Sequence, residues 1–357
     1  MDVTRALERV PVDRDAEDRA WSVVRAAYAE REPVRRLPRR RLVLALAALA
    51  VAAAAAAFSP AGQAVVDAVR RTIGIEHAAP ALFRLPAPGR VLASGAGGTW
   101  VVSAGGSKRR LGSYPQAAWS PHGLFVVGAA HDGLAAIEPG TGDVHWSLAR
   151  PSVAFPRWGG SRVDTRVAYL TRGELHVVGG NGVGDVDVGP AARVAPAWRP
   201  GDGLRLSYVT ARGRVRVVGA WTSRRFPDAR ALIWSPDGRR LVLVTSRQLV
   251  SFDAQSGRAR VLVLPGVRAA AFSPDGALAV VRGKSVLLLG RERPRTLFTA
   301  PGRLDGLVWS PDGRWLLTSL PAADQWVFVG GRRVLAVSHI ARQLGGTVGL
   351  DGWMRGA

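Results

Sequence analysis

The 357 residues contain no cysteine and only two lysines, Lys108 and Lys284. The first absence excludes a disulfide-stapled miniprotein and a cysteine-ligated zinc site. The second means that the net charge of +22, from 49 basic and 27 acidic residues, rests almost wholly on arginine. Catalytic signatures are also missing. The six histidines (His77, His122, His131, His145, His176 and His339) include no pair at metal-ligand spacing and no His-Glu-x-x-His segment. No Gly-x-Ser-x-Gly elbow and no Gly-x-x-x-x-Gly-Lys-Ser/Thr phosphate loop occurs. With 47% hydrophobic residues the chain is not a disordered tail, and its length suits one large domain or two ordinary ones. Neither a metal nor a cofactor is expected, and the chain is not expected to be an enzyme.

Charge is absent again from Leu42 to Phe58, 17 residues made of ten Ala, four Leu, two Val and one Phe. At about 1.5 Å per residue such a helix spans roughly 26 Å, slightly short of a bilayer core. Arg35, Arg36, Arg39, Arg40 and Arg41 flank its near side, whereas Ser59 to Ala64 carries no charge. The positive-inside rule therefore predicts residues 1–41 in the cytoplasm, a transmembrane helix over 42–58, and the rest outside the cell membrane. A cleaved signal peptide is the rival reading, but 41 preceding residues are too many for an ordinary n-region. Asp13 to Glu32 reads as a short helix with Trp21, Val24 and Tyr28 on one face, a surface able to dock a cytosolic partner or lie on the membrane. A second short helix and a Pro-rich linker are expected over 59–89.

Beyond the linker the chain repeats itself. Leu232–Gly238 reads Leu-Ile-Trp-Ser-Pro-Asp-Gly, Ala270–Gly276 reads Ala-Ala-Phe-Ser-Pro-Asp-Gly, and Leu307–Gly313 reads Leu-Val-Trp-Ser-Pro-Asp-Gly. Weaker copies follow Trp119, Trp158 and Trp198. The anchor aromatics Trp119, Trp158, Trp198, Trp234, Phe272 and Trp309 are separated by 39, 40, 36, 38 and 37 residues. Each unit has room for four short strands, with Pro-Asp-Gly as the hairpin turn after the aromatic. That period and strand count predict an all-β fold, a β-propeller. Three strand-like runs before Trp119 (Arg90–Ser94, Thr99–Ser103, Lys108–Gly112) and one after the last full unit (Thr347–Trp353) predict a further blade shared by both ends. Seven blades over 90–357 are expected, with six as the alternative. Ile340 to Gly346 is expected to be a loop that absorbs extra residues before the closing strand.

The aromatic-Ser-Pro-Asp-Gly repeats resemble those of the TolB-like, WD-repeat-like propeller superfamily over roughly residues 90–353. The resemblance implies a binding platform, and packing and turn roles for the repeated residues. His122 takes an Asp position in one turn, so a turn role is expected for it. Gly179–Gly189 has some of the spacing of a calcium-binding repeat but occurs once, and reads better as a Gly-rich loop. Arg193, Arg230, Arg268 and Arg303 are expected in loops leading into successive first strands, where four guanidiniums around a channel mouth could hold a carboxylate or phosphate. In so arginine-rich a chain, chance alone supplies nearly as many. The expectation is a single-pass membrane protein displaying a non-catalytic propeller that recognises a protein or an anionic envelope ligand, with no nucleic-acid partner. Two alternatives stand beside it: a transmembrane sensor resembling anti-sigma regulators, though without their His-x-x-x-Cys-x-x-Cys motif, and an enzyme with its site in the channel.

Overall fold

A serine followed by Pro-Asp-Gly closes on itself through its own side chains. The computed structural model describes residues 84–355 apart from 162, 202, 291 and 292. In it, the Ser235 hydroxyl donates to Asp237 Oδ1 at 2.5 Å, and Oδ1 accepts the Arg239 N–H at 3.0 Å. Ser235 Oγ accepts the Arg240 N–H at 2.9 Å. Gly238 takes φ +65°, a conformation that costs other residues strain. Ser310–Gly313 repeats the arrangement at 2.6, 3.1 and 2.9 Å. The third copy is one residue tighter, with Ser273 Oγ accepting from Ala277 at 2.9 Å. All three serines are buried, so the turn supplies the partners that water cannot reach.

These turns join first to second strands in seven four-stranded antiparallel sheets. Blade 2 is β4 (Gln116–Trp119), β5 (Val126–Ala130), β6 (Gly133–Ile137) and β7 (Val144–Ala149). Blade 3 is β8 (Val153–Gly160), β9 (Thr165–Thr171), β10 (Glu174–Gly179) and β11 (Val186–Pro190). Blade 4 is β12 (Ala197–Trp198), β13 (Leu206–Val209), β14 (Arg214–Val217) and β15 (Trp221–Arg225). Blade 5 is β16 (Ala229–Trp234), β17 (Arg240–Thr245), β18 (Gln248–Asp253) and β19 (Ala259–Val263). Blade 6 is β20 (Val267–Phe272), β21 (Leu278–Arg282), β22 (Ser285–Leu289) and β23 (Arg295–Thr299). Blade 7 is β24 (Asp305–Trp309), β25 (Leu316–Leu320), β26 (Gln325–Gly330) and β27 (Arg333–Ser338). Blade 1 joins the two ends of the chain. Its first strand is β28 (Val348–Met354), paired with β1 (Arg90–Gly95), then β2 (Gly98–Ser103) and β3 (Lys108–Gly112). Seven blades and the shared closure therefore hold, and the six-blade alternative falls.

Instead of one core there are seven apolar clusters, one in each junction between neighbouring blades. Strand alternation makes this possible. In β17, Leu241 and Leu243 pack toward blade 4, while Val242 and Val244 pack toward blade 6. Both faces are buried, which explains unbroken apolar runs such as Leu-Val-Leu-Val. The first strands touch one another around a closed ring. Three anchor tryptophans link neighbouring first strands: the indole N–H of Trp198 donates to Arg157 O (3.0 Å), that of Trp234 to Ala197 O (3.3 Å) and that of Trp309 to Ala271 O (3.1 Å). Each acceptor is the residue just before the preceding blade's aromatic.

Arginines reinforce the same seams. Arg90 lies 5.1 Å over the Trp119 ring and donates to Gly123 O at 2.7 Å. Arg240 lies 5.2 Å over Phe272 and donates to Gly276 O at 3.0 Å. Arg199 does the same to Trp234 and Gly238 O, at 5.9 and 2.7 Å.

Two details depart from the sequence reading. Ile340 to Gly346 is not a plain loop, because Ile340–Leu344 forms a short helix, α1. Ile340 and Leu344, one turn apart, are buried in the junction of blades 7 and 1, and Asp324 accepts the Ala341 N–H at 2.7 Å. The linker also docks before the first strand, since Leu85 and Ala87 are buried in that cluster. The expected cytoplasmic segment 1–41 with Trp21, Val24 and Tyr28, the apolar run 42–58 and most of 59–89 lie outside the described residues. Among the described residues, no helix is long and apolar enough to cross a membrane.

Candidate functional site

Where the repeat is broken, the surface is recessed. Three successive turns lack Ser-Pro-Asp-Gly: Ser120-Pro121-His122-Gly123, Gly159-Gly160-Ser161 and Arg199-Pro200-Gly201. Together with Trp158, Trp198 and Val163 they line a recess of about 910 Å³ across blades 2, 3 and 4. Ser120 Oγ accepts the Phe125 N–H at 3.0 Å and Gly123 keeps φ +70°, so the turn at His122 retains its geometry and the exposed imidazole is spare. Gly159 is required by packing, because a Cβ there would lie 2.1 Å from the Trp198 ring. Trp158 packs against Phe125 with ring centroids 6.1 Å apart, and its indole nitrogen is buried without a hydrogen-bond partner. Val163 stands 96% exposed at the rim. The lining is thus aromatic and apolar, with one imidazole and with a guanidinium already bonded to Gly238 O. That chemistry suits a partly apolar ligand or a protruding side chain, and the described lining residues include no acid–base pair.

A second, smaller recess of about 510 Å³ separates blades 1 and 2 and is lined by Arg90, Lys108, Arg109, Arg110, Ser103 and Pro139 among others. Among the described residues no acidic side chain lines it. Exposed Arg109 reaches across to blade 2, donating to Thr141 O at 3.1 Å, whereas exposed Arg110 stays on its own blade, donating to Ser113 Oγ at 2.9 Å.

At the inner ring, Asp351 of β28 and Arg157 of β8 influence each other electrostatically without an ion-pair contact. Ser94 donates to Asp351 Oδ2 at 2.6 Å. Burial among the first strands pushes the Asp351 carboxyl up to about 7, while the Ser94 hydroxyl and the Arg157 charge pull the other way. Burial also holds the Arg157 guanidinium below its usual range, with Asp351 opposing. Asp351 occupies a register irregularity between β1 and β28, opposite Leu92/Ala93. A bulge thus carries it into the ring.

The four arginines expected in loops at the channel mouth share neither a strand position nor a contact, and two of them lie within strands. Arg230 and Arg268 sit at register shifts in β16 and β20, Arg193 precedes β12, and Arg303 precedes β24. All four are exposed. Among the described residues no hydrogen bond or ion pair joins them, and Arg193 lies 5.7 Å over the Phe155 ring. Each of the six anchor aromatics lies in or against the apolar cluster of one blade junction.

Two groupings were missed by the sequence reading. The recess was legible only as a list of weaker repeats, since the broken turns mark its position but not its depth. The residues around His176 come together through the β10–β11 hairpin: His176 stands opposite Asp187, with Glu174 two residues away on the same face. Ligating atoms of Glu174, His176 and Asp187 all lie within 4.8 Å of one another. Histidine spacing along the chain could not reveal that cluster, because its partners are carboxylates, one of them across a loop.

No family model and no curated protein matches this chain. Solved structures match by fold. One chain of the mitotic checkpoint complex aligns with TM-score 0.55 at 17% identity, over 70-odd per cent of this chain (71%) and 93% of that one. The β-propeller domain of Cps50 (Swd1) from Myceliophteria thermophila aligns with TM-score 0.50 at 11% identity, covering 63% of this chain and 86% of that one. A Bacteroides uniformis protein assigned as a 6-phosphogluconolactonase aligns with TM-score 0.51 at 15% identity, covering 70% and 97%. At such identities what is shared is the propeller fold, seven blades of the kind found in WD-repeat proteins.

Proposed function

We propose that this chain is a recognition protein whose propeller binds a protein or other envelope ligand at the recess of blades 2–4, without catalysis, while residues 42–58 hold it to the cell membrane with the propeller outside. The observation that carries the binding site is the coincidence of the 910 Å³ recess with the three turns that depart from the repeat. A sequence that keeps its turn residues in three blades and drops them in three adjacent ones has spent local regularity on something other than folding. Among the described residues the lining is mostly aromatic and apolar with one imidazole, which supports binding over chemistry. The TolB-like character of the Ser-Pro-Asp-Gly repeats belongs to the same proposal. The anchor is supported by the charge asymmetry around the apolar run.

A second reading is favoured by the basic cleft. An anionic ligand finds four cationic residues lining it, whereas Arg193, Arg230, Arg268 and Arg303 make no hydrogen bond or ion pair with one another. Both readings are separated by one experiment. A photocrosslinking residue is placed at Val163 in the recess, at Arg109 in the cleft, at Arg268, or at Val263 on the outer strand of blade 5, in the full-length chain in its own membrane. Adducts formed at Val163 and not at Val263 support the recess. Adducts at Arg109 alone move the site to the cleft, and adducts of equal yield at all positions would mean a diffuse, non-specific surface.

A further inference from the structure

Blade 3 carries an arrangement that the recess does not use. Glu174 and His176 lie on one face of β10, and Asp187 of β11 stands directly opposite His176. Behind them sits Asp185, whose side chain is only 8% exposed. Arg150 of blade 2 grips it with Nε at 2.8 Å and Nη2 at 2.7 Å, and the Tyr169 hydroxyl donates to its other oxygen at 2.8 Å. Tyr169 also stacks on the imidazole, with ring centroids 5.6 Å apart. His176 Nδ1 is buried, faces Asp185 Oδ2 at 3.5 Å, and has no hydrogen-bond partner. The imidazole as a whole is 17% exposed.

We propose that Glu174, His176 and Asp187 bind one divalent transition-metal ion of the zinc class, with Asp185 as the carboxylate that orients the histidine. One imidazole and two carboxylates leave a coordination position for water, a donor set that suits zinc, cobalt or nickel better than calcium or magnesium, which take oxygen alone. Ligands at about 2.0–2.1 Å from a tetrahedral ion lie roughly 3.3 Å apart. The three atoms already fall within 4.8 Å, and the exposed Glu174 and Asp187 can close the remainder by rotation. A ligating histidine usually directs its other nitrogen at a carboxylate, which fixes the ring and raises its basicity. Asp185 stands in that position and is itself held by Arg150 and Tyr169. The 3.5 Å separation shortens to a hydrogen bond with a small tilt of the ring. The buried nitrogen without a partner is then explained, because it belongs to a triad that the ion completes.

The site would clamp the β10–β11 hairpin to the seam between blades 2 and 3, where Trp146 already donates to Gly180 O at 2.8 Å. The test uses the full-length chain, stripped with a chelator and titrated with Zn²⁺ and with Co²⁺ by calorimetry. One ion per chain, with a rise in melting temperature on loading, is the expected result. His176→Gln and Asp187→Asn should each weaken binding at least tenfold. Asp185→Asn should weaken it by about tenfold to a hundredfold. His145→Gln is the control, since its contact with Glu138 at 3.7 Å is an exposed pair elsewhere. Should Asp185→Asn fail to fold, the exposed Glu174→Gln serves in its place with the same tenfold expectation. Absence of saturable one-site binding, a His176→Gln chain that binds as tightly as wild type, or equal loss from His145→Gln would each overturn the assignment.

Discussion

A carboxyl that titrates near 7 is half charged at neutral pH, and Asp351 is such a group. Its folded-state value lies above that of an unfolded aspartate, so the native state keeps a proton that the unfolded chain releases. Stability therefore falls as pH rises from about 4 to 7 and stays low above that window. Asp351→Asn removes the titration. The variant should exceed the wild type by about 2–4 kcal/mol at pH 8 and match it near pH 3.5, read by denaturant unfolding at both values. Equal stabilities at pH 8 would refute the buried charge.

Asp237 and Asp312 behave oppositely. The Ser235 hydroxyl holds Asp237 below its usual range, and the Ser310 hydroxyl does so for Asp312 against the cost of burial. Their contribution is present above the unfolded value and disappears as pH drops through the folded one. Asp237→Ala should therefore be destabilising at pH 7, by an amount that shrinks as pH falls below the usual carboxylate range, checked by thermal melts at falling pH. Arg240 shows how far residue-level reading reaches. Its place on the turn face suggests a purely electrostatic role, yet its side chain rests on Phe272 and bonds Gly276 O. Arg240→Ala should cost about 1–2 kcal/mol in denaturant unfolding, whereas Arg239→Ala should cost nothing measurable.

At the scale of elements, the strand is the unit the sequence spells most clearly. The predicted Lys108–Gly112 coincides with β3, and Arg90–Ser94 and Thr99–Ser103 fall within one residue of β1 and β2. The closing strand was legible too, because Trp353 repeats the anchor aromatic and leftover strands at both ends have no other partner. Removing Gly346–Ala357 deletes β28 and with it the buried Val348 and Trp353. It bares the edge of β1 and the face that blade 7 packs against. Melting of the truncated chain should fall by well over 10 °C or lose its cooperativity, and an unchanged melt would contradict the closure. What stayed illegible is whatever depends on register. Short helix α1 has too few residues to show a period. The pairing of His176 with Asp187 depends on a shift between Leu175 and His176 and on where the Gly179–Asp185 loop turns, neither of which composition encodes. Likewise Asp351 reaches the inner ring through a bulge, and nothing in Gly-Leu-Asp-Gly-Trp announces one.

The described propeller is a ring of seven seams rather than a ball around one core, and each seam joins two neighbouring blades. Damage in one seam is thus expected to reach the next blade where a tryptophan N–H joins the first strands, between blades 3 and 4, 4 and 5, and 6 and 7. The proposed placement of that ring outside the membrane has a direct measurement. A reporter active only outside the cytoplasm, fused after Ala357, should be active while the full-length chain stays in the membrane fraction. A released form lacking residues 1–57 would instead identify the apolar run as a cleaved signal.

Closure by both ends also decides how the ring answers to force. Arg90, where β1 begins, lies beside Met354, where β28 ends, and the pairing runs antiparallel from there to Gly95 and Val348. A load applied between the two ends of the domain enters at the same end of this pair. It meets the hydrogen bonds one after another, as a zipper does, and not all together in shear. A fold whose ends are mutually locked against heat is on this geometry soft to traction, and a tug on its C-terminus against a fixed N-terminus would peel open blade 1 before disturbing the other six.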